Sequence, residues 1–432
     1  MKEKGSKVAE CEHKSLLKNL RRTAAIQISL LLISMGVPLG AAEDQFNLDV
    51  FGNANMDDTI DEDDIEYVQG IINGENKATE LADANYDGKI DENDIAQIEL
   101  IISGEEKNLT IMQYIQLQTA TTFSQEPVTV PMPVDSIAAL GGSYGPEMLC
   151  VFGIADKIAA VTEYSKTRGE FVDLIKDIPV AASSEWDMEK IISLKPDVVL
   201  AYAIYDYSAE RQILEKEGIT LVQMNFHKPE TYSREVRNLG WLLDKKERAE
   251  ELIDFEEDHL NFIRDRVSGL DEEQKPHVYA EGKDWSYTSG SSVSRAVEFC
   301  GGDNLFKELA GTVDLDPEEV IVRDPQVIIK GTSTAAIPES GYNAMNDSQM
   351  AAAVETIMNR SGMEVIDAVK NDRVYIISTD AASIHPSIFN SYVAKWLYPE
   401  LFQDLDPVSV HEEWLNEFLG VEFKGVYAYP LL

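Results

Sequence analysis

The chain has 432 residues, which is enough for two or three domains with separate hydrophobic cores. Its 37 lysine and arginine residues against 77 aspartate and glutamate residues give a formal net charge of −40, which repels phosphate backbones and argues against nucleic acid as a partner. A hydrophobic content of 44% indicates a globular protein with an acidic surface rather than a disordered polyanion.

The first 42 residues have the pattern of an export signal. The basic stretch KSLLKNLRR precedes an apolar run from Ala24 to Leu39, and small residues suited to cleavage follow near Ala42. The apolar run is shorter than the roughly 20 residues that span a membrane. We therefore predict an exported protein, at the cell surface or outside the cell, with a signal peptide at 1–42. An uncleaved leader that anchors the protein is the alternative.

Residues 43–107 contain two acidic segments that align, NANMDDTIDEDD from Asn53 and DANYDGKIDEND from Asp83. Each places oxygen-bearing groups at the spacing by which a twelve-residue loop surrounds Ca²⁺. The second loop is expected to bind more strongly, because Asn53 and Asp58 replace the leading aspartate and the glycine that stand as Asp83 and Gly88 in the second. The predicted calcium ligands are Asn53, Asn55, Asp57, Thr59, Asp61, Asp64, Asp83, Asn85, Asp87, Lys89, Asp91 and Asp94.

Each loop leads into an amphipathic helix that ends at a glycine, and Phe51-Gly52 leaves no room for a helix before the first loop. In these features, and in the aspartate at the twelfth loop position, residues 43–107 resemble the dockerin type I module. The resemblance implies a small all-α module, with paired EF-hand-like calcium loops, that docks onto a cohesin-like partner.

From Asn108 the pattern becomes alternating strands and helices. The stretch EPVTVPMPV predicts an edge hairpin, and the strands SIAAL, IAAVT, PDVVLAY and TLVQMN are separated by helical stretches, which indicates a parallel sheet covered by helices. HVYAEG, PQVIIKG and RVYIIST repeat the theme. Between the halves, apolar residues at helical spacing predict one long helix. We predict lobes at 108–243 and 271–432 joined by a linking helix at 244–270.

Two α/β lobes around one rod helix resemble the periplasmic-binding-protein domain of the iron-complex and cobalamin ABC uptake systems. The stretches EWDMEKIISLKPDVVLA, DPEEVIVRDPQVIIKG, CGGDNLF and VKNDRVYIIS carry the resemblance. It implies two Rossmann-like lobes of the class III fold, a ligand cleft between them, and delivery of the ligand to an ABC permease with its ATPase. It also implies one permease-docking glutamate per lobe, Glu189 and Glu318, with Glu319 as the near alternative to Glu318.

Loops at the carboxyl ends of the predicted strands are rich in aromatic residues, including Tyr202 and Tyr207, which offer rigid contact area to a flat or bulky ligand. Arg168 and His385 would add a charge or a hydrogen bond, or His385 would ligate a metal centre directly. The six histidines are scattered, which favours a preassembled iron(III) chelate, haem or corrinoid over bare zinc or manganese. The predicted ligand contacts are Ser143, Tyr144, Arg168, Trp186, Tyr205, Trp285, Tyr287 and His385.

The segment Gly141–Gly145 spells G-x-S-x-G, the nucleophile-elbow pattern of serine hydrolases, and Asp380 and His385 are available as partners of Ser143. Against a hydrolase, the serine follows the first strand of its lobe, and the chain has no His-Gly-Gly segment for an oxyanion hole. We therefore predict a binding protein and not an enzyme. A surface scaffold or sensor that uses the same fold without transport is the alternative, and a hydrolase acting through Ser143 is the third hypothesis.

Overall fold

The structure, a computed structural model, describes residues 48–117, 120, 122–167, 169–282, 286–288, 291–309 and 312–431. The predicted leader and two of the predicted ligand contacts, Arg168 and Trp285, lie outside the described residues. The described part of the chain belongs to one compact unit.

The N-terminal segment, residues 48–107, is built from two copies of a loop followed by a helix. Helices α1 (Glu62–Ile72) and α2 (Glu92–Ser103) begin at Asp61 and Asp91, whose side chains accept hydrogen bonds from the first helical turn. In each helix the carboxylate of the aspartate at the third position accepts a hydrogen bond from the backbone N–H of the capping residue, which completes a capping box. The sequence repeat therefore produces a structural repeat.

The N-terminal segment is joined to a two-stranded antiparallel hairpin, β1 (Asn108–Ile115) and β2 (Ser124–Pro131). Asp49 connects this region to the first lobe: its carboxylate accepts hydrogen bonds from the Tyr114 hydroxyl at 2.7 Å and from the Arg234 guanidinium at 2.9 Å. The backbone N–H of Asp49 donates to the Asn238 side chain at 3.0 Å. Because Asp49 is buried, these hydrogen bonds hold the N-terminal segment against the first lobe.

The first lobe is a five-stranded sheet in the order β5-β4-β3-β6-β7, with all neighbours parallel. Four of these strands were predicted, and β5, at the edge of the sheet, was missed. The strands are β3 (Ile137–Ala139), β4 (Ile158–Thr162), β5 (Val180–Ala182), β6 (Val198–Tyr202) and β7 (Thr220–Met224). The helices are α3 (Tyr144–Val151), α4 (Val172–Ile175), α5 (Met188–Leu194), α6 (Ser208–Lys216) and α7 (Tyr232–Leu242).

A single helix of 22 residues, α8 (Lys246–Val267), follows the first lobe. At 1.5 Å per residue it is roughly 33 Å long. Its apolar stripe is buried, including Leu252, Ile253 and Ile263, and α7 packs along it.

The second lobe has a seven-stranded mixed sheet, not the purely parallel sheet that the sequence predicts. Its centre, β8-β12-β13, is parallel, but β9 runs antiparallel to β8 because only residues 282–285 connect them and a parallel return needs a long crossover. The strands are β8 (His277–Glu281), β9 (Ser286–Tyr287), β10 (Asp303–Asn304), β11 (Thr312–Val313), β12 (Val327–Thr332), β13 (Val374–Ser378) and β14 (Ala428–Tyr429).

Two helices of the second lobe lie on the side of the linking helix: one packs on it, and the other packs on the first. Of these, α13 packs against α8, and α14 packs against α13. The helices are α9 (Ser292–Phe299), α10 (Pro317–Arg323), α11 (Ser348–Met358), α12 (Asp367–Lys370), α13 (Pro386–Leu397) and α14 (Pro407–Trp414). Among the described residues, no helix combines the length and the apolar character that crossing a membrane requires.

Candidate ligand site between the lobes

The glycine loop 141–145 lies at the carboxyl end of β3, where ligands of open parallel sheets bind. Gly142 has φ +68°, a left-handed conformation that favours glycine, and a Cβ on Gly141 would come within 3.3 Å of the backbone of Ala201 and Tyr202. Ser143 takes the capping position of α3, and its side chain makes no capping hydrogen bond. The glycines therefore serve a tight turn against the end of β6.

Aromatic side chains from the loops at this edge of the first lobe contact one another and form a cluster. It consists of Tyr144, Trp186, Tyr202, Tyr205, Tyr207 and His227. Tyr144 stacks on the His227 ring with 4.7 Å between centroids, and Trp186 stacks on Tyr207 at 4.5 Å. The Tyr205 side chain is 46% exposed, so the cluster offers ring surface to solvent. The predicted contacts Tyr144, Trp186 and Tyr205 are therefore brought together.

His227 is the member of this cluster that sequence reasoning missed. Its Nδ1 donates to the Asn225 carbonyl at 3.0 Å, and its Nε2 accepts from the Tyr202 hydroxyl at 3.1 Å. Burial lowers the pKa of His227 to about 4, so the ring is neutral at physiological pH. The cluster is consequently an uncharged surface that suits a flat or bulky apolar group.

The predicted contact Tyr287 lies in the second lobe, on the short strand β9. Its ring packs on Gly331, where an added Cβ would come within 2.9 Å of the ring. Arg295 of α9 connects the two lobes, because its guanidinium lies 3.6 Å from the Glu230 carboxylate of the first lobe.

The structure places His385 differently from the sequence prediction. The side chain has no exposed surface, and its Nε2 lies 3.6 Å from Oε1 of Glu147, which is also buried. Ser383 donates a hydrogen bond to the other Glu147 oxygen. His385 is therefore not an open cleft contact, because it is enclosed between α3 of the first lobe and the start of α13.

A second buried carboxylate of the first lobe lies in the same place. Glu170 accepts a hydrogen bond from the Tyr427 hydroxyl at 2.6 Å, and His411 Nε2 lies 3.7 Å from it. One ligand atom from each of Glu147, Glu170 and His385 lies within 4.8 Å of the other two. We call Glu147, Glu170, His385 and His411 the inter-lobe cluster. Sequence reasoning missed three of these four residues.

The burial of the inter-lobe cluster shifts its titrations. Burial raises the pKa of Glu147, whereas for Glu170 the effect of burial is outweighed by His411, His385 and Tyr427, so its pKa is lowered. Burial alone would lower the pKa of His385, but Glu147 and the other nearby carboxylates raise it. Burial lowers the pKa of His411. The charge states of Glu147 and Glu170 therefore depend on histidines of the second lobe.

The hydrolase hypothesis requires an imidazole nitrogen directed at Ser143. The Nδ1 of His385 donates to the Ala381 carbonyl at 3.1 Å, and its Nε2 is directed toward Glu147. Neither nitrogen is available to Ser143 in this arrangement, so the elbow pattern is not accompanied by triad geometry at His385.

The two predicted docking glutamates occupy equivalent positions. Helices α5 and α10 each have seven residues and begin at an aspartate, Asp187 or Asp316, that caps the helix. Glu189 and Glu318 are both the second helical residue, and both are exposed. Glu319 pairs with Arg323 at 2.8 Å. The equivalence of the two helices selects Glu318 over Glu319 as the counterpart of Glu189.

The two acidic loops have the same pattern of internal hydrogen bonds. In each, the twelfth residue, Asp64 or Asp94, accepts from two loop N–H groups, and the ninth caps the following helix. Burial raises the pKa of Asp64 to about 6 and also raises that of Asp94. A cation close to either carboxylate would favour its charged form and lower its pKa.

The loops differ at their first residue. Asn53 has no exposed surface, and its side-chain amide donates to the Leu48 carbonyl at 2.8 Å and to the Asp57 carbonyl at 2.6 Å. In the second loop, Asp83 accepts from the backbone N–H of Asp87 and Gly88. The first loop therefore begins with a neutral amide that donates to two backbone carbonyls, where the second loop begins with a carboxylate. Weaker calcium binding by the first loop remains a prediction.

Comparisons with known proteins address the large two-lobed part. The chain is 25% identical over 292 residues to an uncharacterised ABC transporter substrate-binding lipoprotein of Bacillus subtilis, YvrC, and the match spans 65% of this chain and 85% of the relative. It is 24% identical over 255 residues to a vitamin B12-binding protein of Vibrio cholerae, which spans 57% of this chain and 90% of the relative.

Among solved structures, the fold resembles a TroA-like periplasmic binding protein, FepB, of Veillonella parvula. The TM-score is 0.62 at 23% identity, and the match covers 74% of this chain and 99% of the other. The molybdate-bound MolA protein of Haemophilus influenzae matches with a TM-score of 0.55 at 17% identity, and covers 72% of this chain and 99% of the other. At these identities the likeness concerns the fold.

A sequence model of the family described as periplasmic binding protein matches residues 137–381, which is more than half of the 432 residues. The match includes the first-lobe sheet, α8 and every strand of the second-lobe sheet except β14. The chain therefore belongs to the periplasmic binding protein family.

Proposed function

We propose that this protein is the extracytoplasmic substrate-binding component of an ABC importer and that it captures a bulky metal complex, an iron(III) chelate or a corrinoid, between its lobes. The observation that carries the proposal is the neutral aromatic cluster at the carboxyl edge of the first-lobe sheet. Stacked rings supply contact area with little loss of conformational entropy. The names of the relatives, which include vitamin B12-binding proteins, support this class of ligand.

Binding to the aromatic cluster has a direct test. Titration of the protein with cyanocobalamin, haem and a ferric siderophore, followed by ligand absorbance or tryptophan fluorescence, is expected to give saturable binding to one of them. The variant Tyr205→Ala is expected to weaken that binding about 10-fold or more, because a central aromatic contact contributes of the order of 1.4 kcal/mol or more.

The matched control is Tyr86→Ala, since Tyr86 on the N-terminal segment is 47% exposed and Tyr205 is 46% exposed. This control is expected to bind the ligand as the parent does. Equal affinities of the two variants would remove the aromatic cluster from the ligand site. Absence of saturable binding to all three compounds would contradict the proposed ligand class.

The remaining two hypotheses predict different results. If the protein is a scaffold or sensor, it binds the ligand but takes no part in transport, so substitution of Glu189 and Glu318 would leave ligand uptake by the cell unchanged. A hydrolase would be labelled at Ser143 by an organophosphonate probe, and the label would disappear in Ser143→Ala. The binding proposal predicts that Ser143 is not labelled.

We further propose that the N-terminal segment is a calcium-loaded dockerin-type module that recruits a cohesin-like protein, and that the protein is exported to the cell surface. The shared hydrogen-bond network of the two loops supports two Ca²⁺ sites, with the second loop the stronger. The lipoprotein relative of Bacillus subtilis supports a location outside the cytoplasm.

The difference between the two loops is expected to appear in a calcium titration of the full chain. Asp57 and Asp87 both occupy the fifth loop position, so Asp57→Ala and Asp87→Ala form a matched pair. Asp87→Ala is expected to remove the tighter calcium event and Asp57→Ala only the weaker one, because Asn53 is committed to backbone contacts. Isothermal titration measures both. A parent protein that takes up no calcium would contradict the proposal.

A further inference from the structure

The inter-lobe cluster contains buried polar atoms that have no hydrogen-bond partner among the described residues. These are Oε1 of Glu147, Oε2 of Glu170, Nε2 of His385 and both ring nitrogens of His411. The side chains concerned are at most 1% exposed. An orphaned buried polar atom costs about 1–3 kcal/mol, so several orphans at one point indicate a missing bonding partner.

The orientation of His385 restricts what that partner is. Its Nδ1 donates to the Ala381 carbonyl, so Nε2 is the ring nitrogen that remains for another bond. Nε2 lies 3.6 Å from Oε1 of Glu147, beyond hydrogen-bond length. Either a proton or a metal ion can lie between these two atoms, and a metal ion that binds there releases the proton. Two ligands of one tetrahedral ion with bonds of about 2.1 Å stand roughly 3.4 Å apart, close to the observed separation.

The surroundings of the two carboxylates agree with this interpretation. Tyr427 donates to one oxygen of Glu170, and Ser383 donates to one oxygen of Glu147, while the second oxygen of each has no partner. Hydroxyl and carbonyl contacts that orient the ligating groups from behind are typical of metal sites in proteins. The arrangement is therefore a set of oriented donors around one point and not merely a group of acidic residues.

We propose that Glu147, Glu170 and His385 bind one divalent first-row transition-metal ion that joins the two lobes, with His411 beside them as a second imidazole. The imidazole favours Zn²⁺, Mn²⁺ or Fe²⁺ over Ca²⁺ or Mg²⁺, which select oxygen ligands. Glu147 and Glu170 belong to the first lobe and His385 to the second, so the ion stabilises only the arrangement in which the lobes are together. The site is independent of whether the protein serves a permease.

The test is a Zn²⁺ and Co²⁺ titration of the full chain in excess calcium, which occupies the acidic loops. The parent is expected to take up one Zn²⁺ per chain by elemental analysis, and Co²⁺ to give visible absorption and X-ray absorption that reports an imidazole nitrogen. The double variant Glu147→Gln/His385→Gln is expected to lose about 100-fold or more in affinity, since even supporting partners of metal ligands contribute 10–100-fold.

The matched control is His259→Gln, because His259 on α8 also directs Nδ1 to the carbonyl four residues earlier, that of Phe255. It is expected to bind Zn²⁺ as the parent does. Glu170→Gln, whose remaining oxygen still accepts from Tyr427, provides a second, milder variant if the double variant misfolds. A parent that binds neither ion beyond the calcium loops, an X-ray absorption spectrum without imidazole, or unchanged affinity in the variants would overturn the proposal.

Discussion

Gly425→Ala is expected to lower the free energy of unfolding by about 3 kcal/mol or more, measured by urea denaturation. Gly425 has φ +93°, and a Cβ there would collide with the carbonyl oxygens of Gly341 and Tyr342, the latter at 2.6 Å. Both obstacles are backbone atoms, so no side chain can turn away. The collision would also break the backbone bridge between Gly341 and Val426, which directs the chain toward β14.

The control for this prediction is Gly153→Ala. Gly153 has φ +71°, and an added Cβ there meets no atom within 4 Å, so the control measures the left-handed backbone alone. Gly153→Ala is expected to lower the free energy of unfolding by about 1 kcal/mol. If both variants lost the same stability, the collision at Gly425 would be relieved by a shift of the chain, and the bridge would contribute little.

The double variant Glu189→Ala/Glu318→Ala is expected to reduce ligand uptake by cells that carry the cognate permease, by at least about 10-fold for each glutamate. A charged group that meets an opposite charge across an interface costs about 2–5 kcal/mol when truncated. The two helices that carry these residues lie in different lobes, so the losses should add. Ligand affinity of the purified protein is expected to stay unchanged, because both side chains are exposed and neither belongs to the aromatic cluster.

Glu319→Ala is the internal control, because Glu319 is the neighbour of Glu318 and pairs with Arg323 on its own helix. Uptake by this variant is expected to match the parent. Normal uptake by the double variant would reject docking through these glutamates and favour the scaffold or sensor hypothesis. A loss of uptake in Glu319→Ala alone would move the docking contact by one residue.

The longer strands and helices of the two lobes follow from local patterns, but several strands do not. The stretch EPVTVPMPV forms one strand, β2, and not a hairpin, because its partner is the unpredicted β1. The other strands that were not predicted are β5, β9, β10, β11 and β14. Apolar strands such as β6 and β13 are separated by helices, and the charged stretch between the halves folds as α8. The equivalence of Glu189 and Glu318 also follows from sequence, since Asp187 and Asp316 mark the start of each helix. These features depend on residues close together in the chain, where turn and capping chemistry acts.

The inter-lobe cluster could not be predicted in this way. Ser383 and Glu147, which share a hydrogen bond, are 236 positions apart, and Glu170 and Tyr427 are 257 apart. Nothing in the local sequence around Glu147 distinguishes it from a solvated helix carboxylate, and the scattered histidines suggested that no site would collect them. Only the packing of α13 and α14 against the first lobe brings His385 and His411 to the carboxylates.

The anchoring of Asp49 by Arg234 and Tyr114 has a mechanical consequence. A partner that holds α1 or α2 would also hold the first lobe, because these hydrogen bonds connect the N-terminal segment to that lobe. Any change in the distance between the lobes would then be a displacement of the second lobe relative to the first. In such a tethered receptor the first lobe would stay fixed relative to the assembly, and the second lobe would be the one that moves.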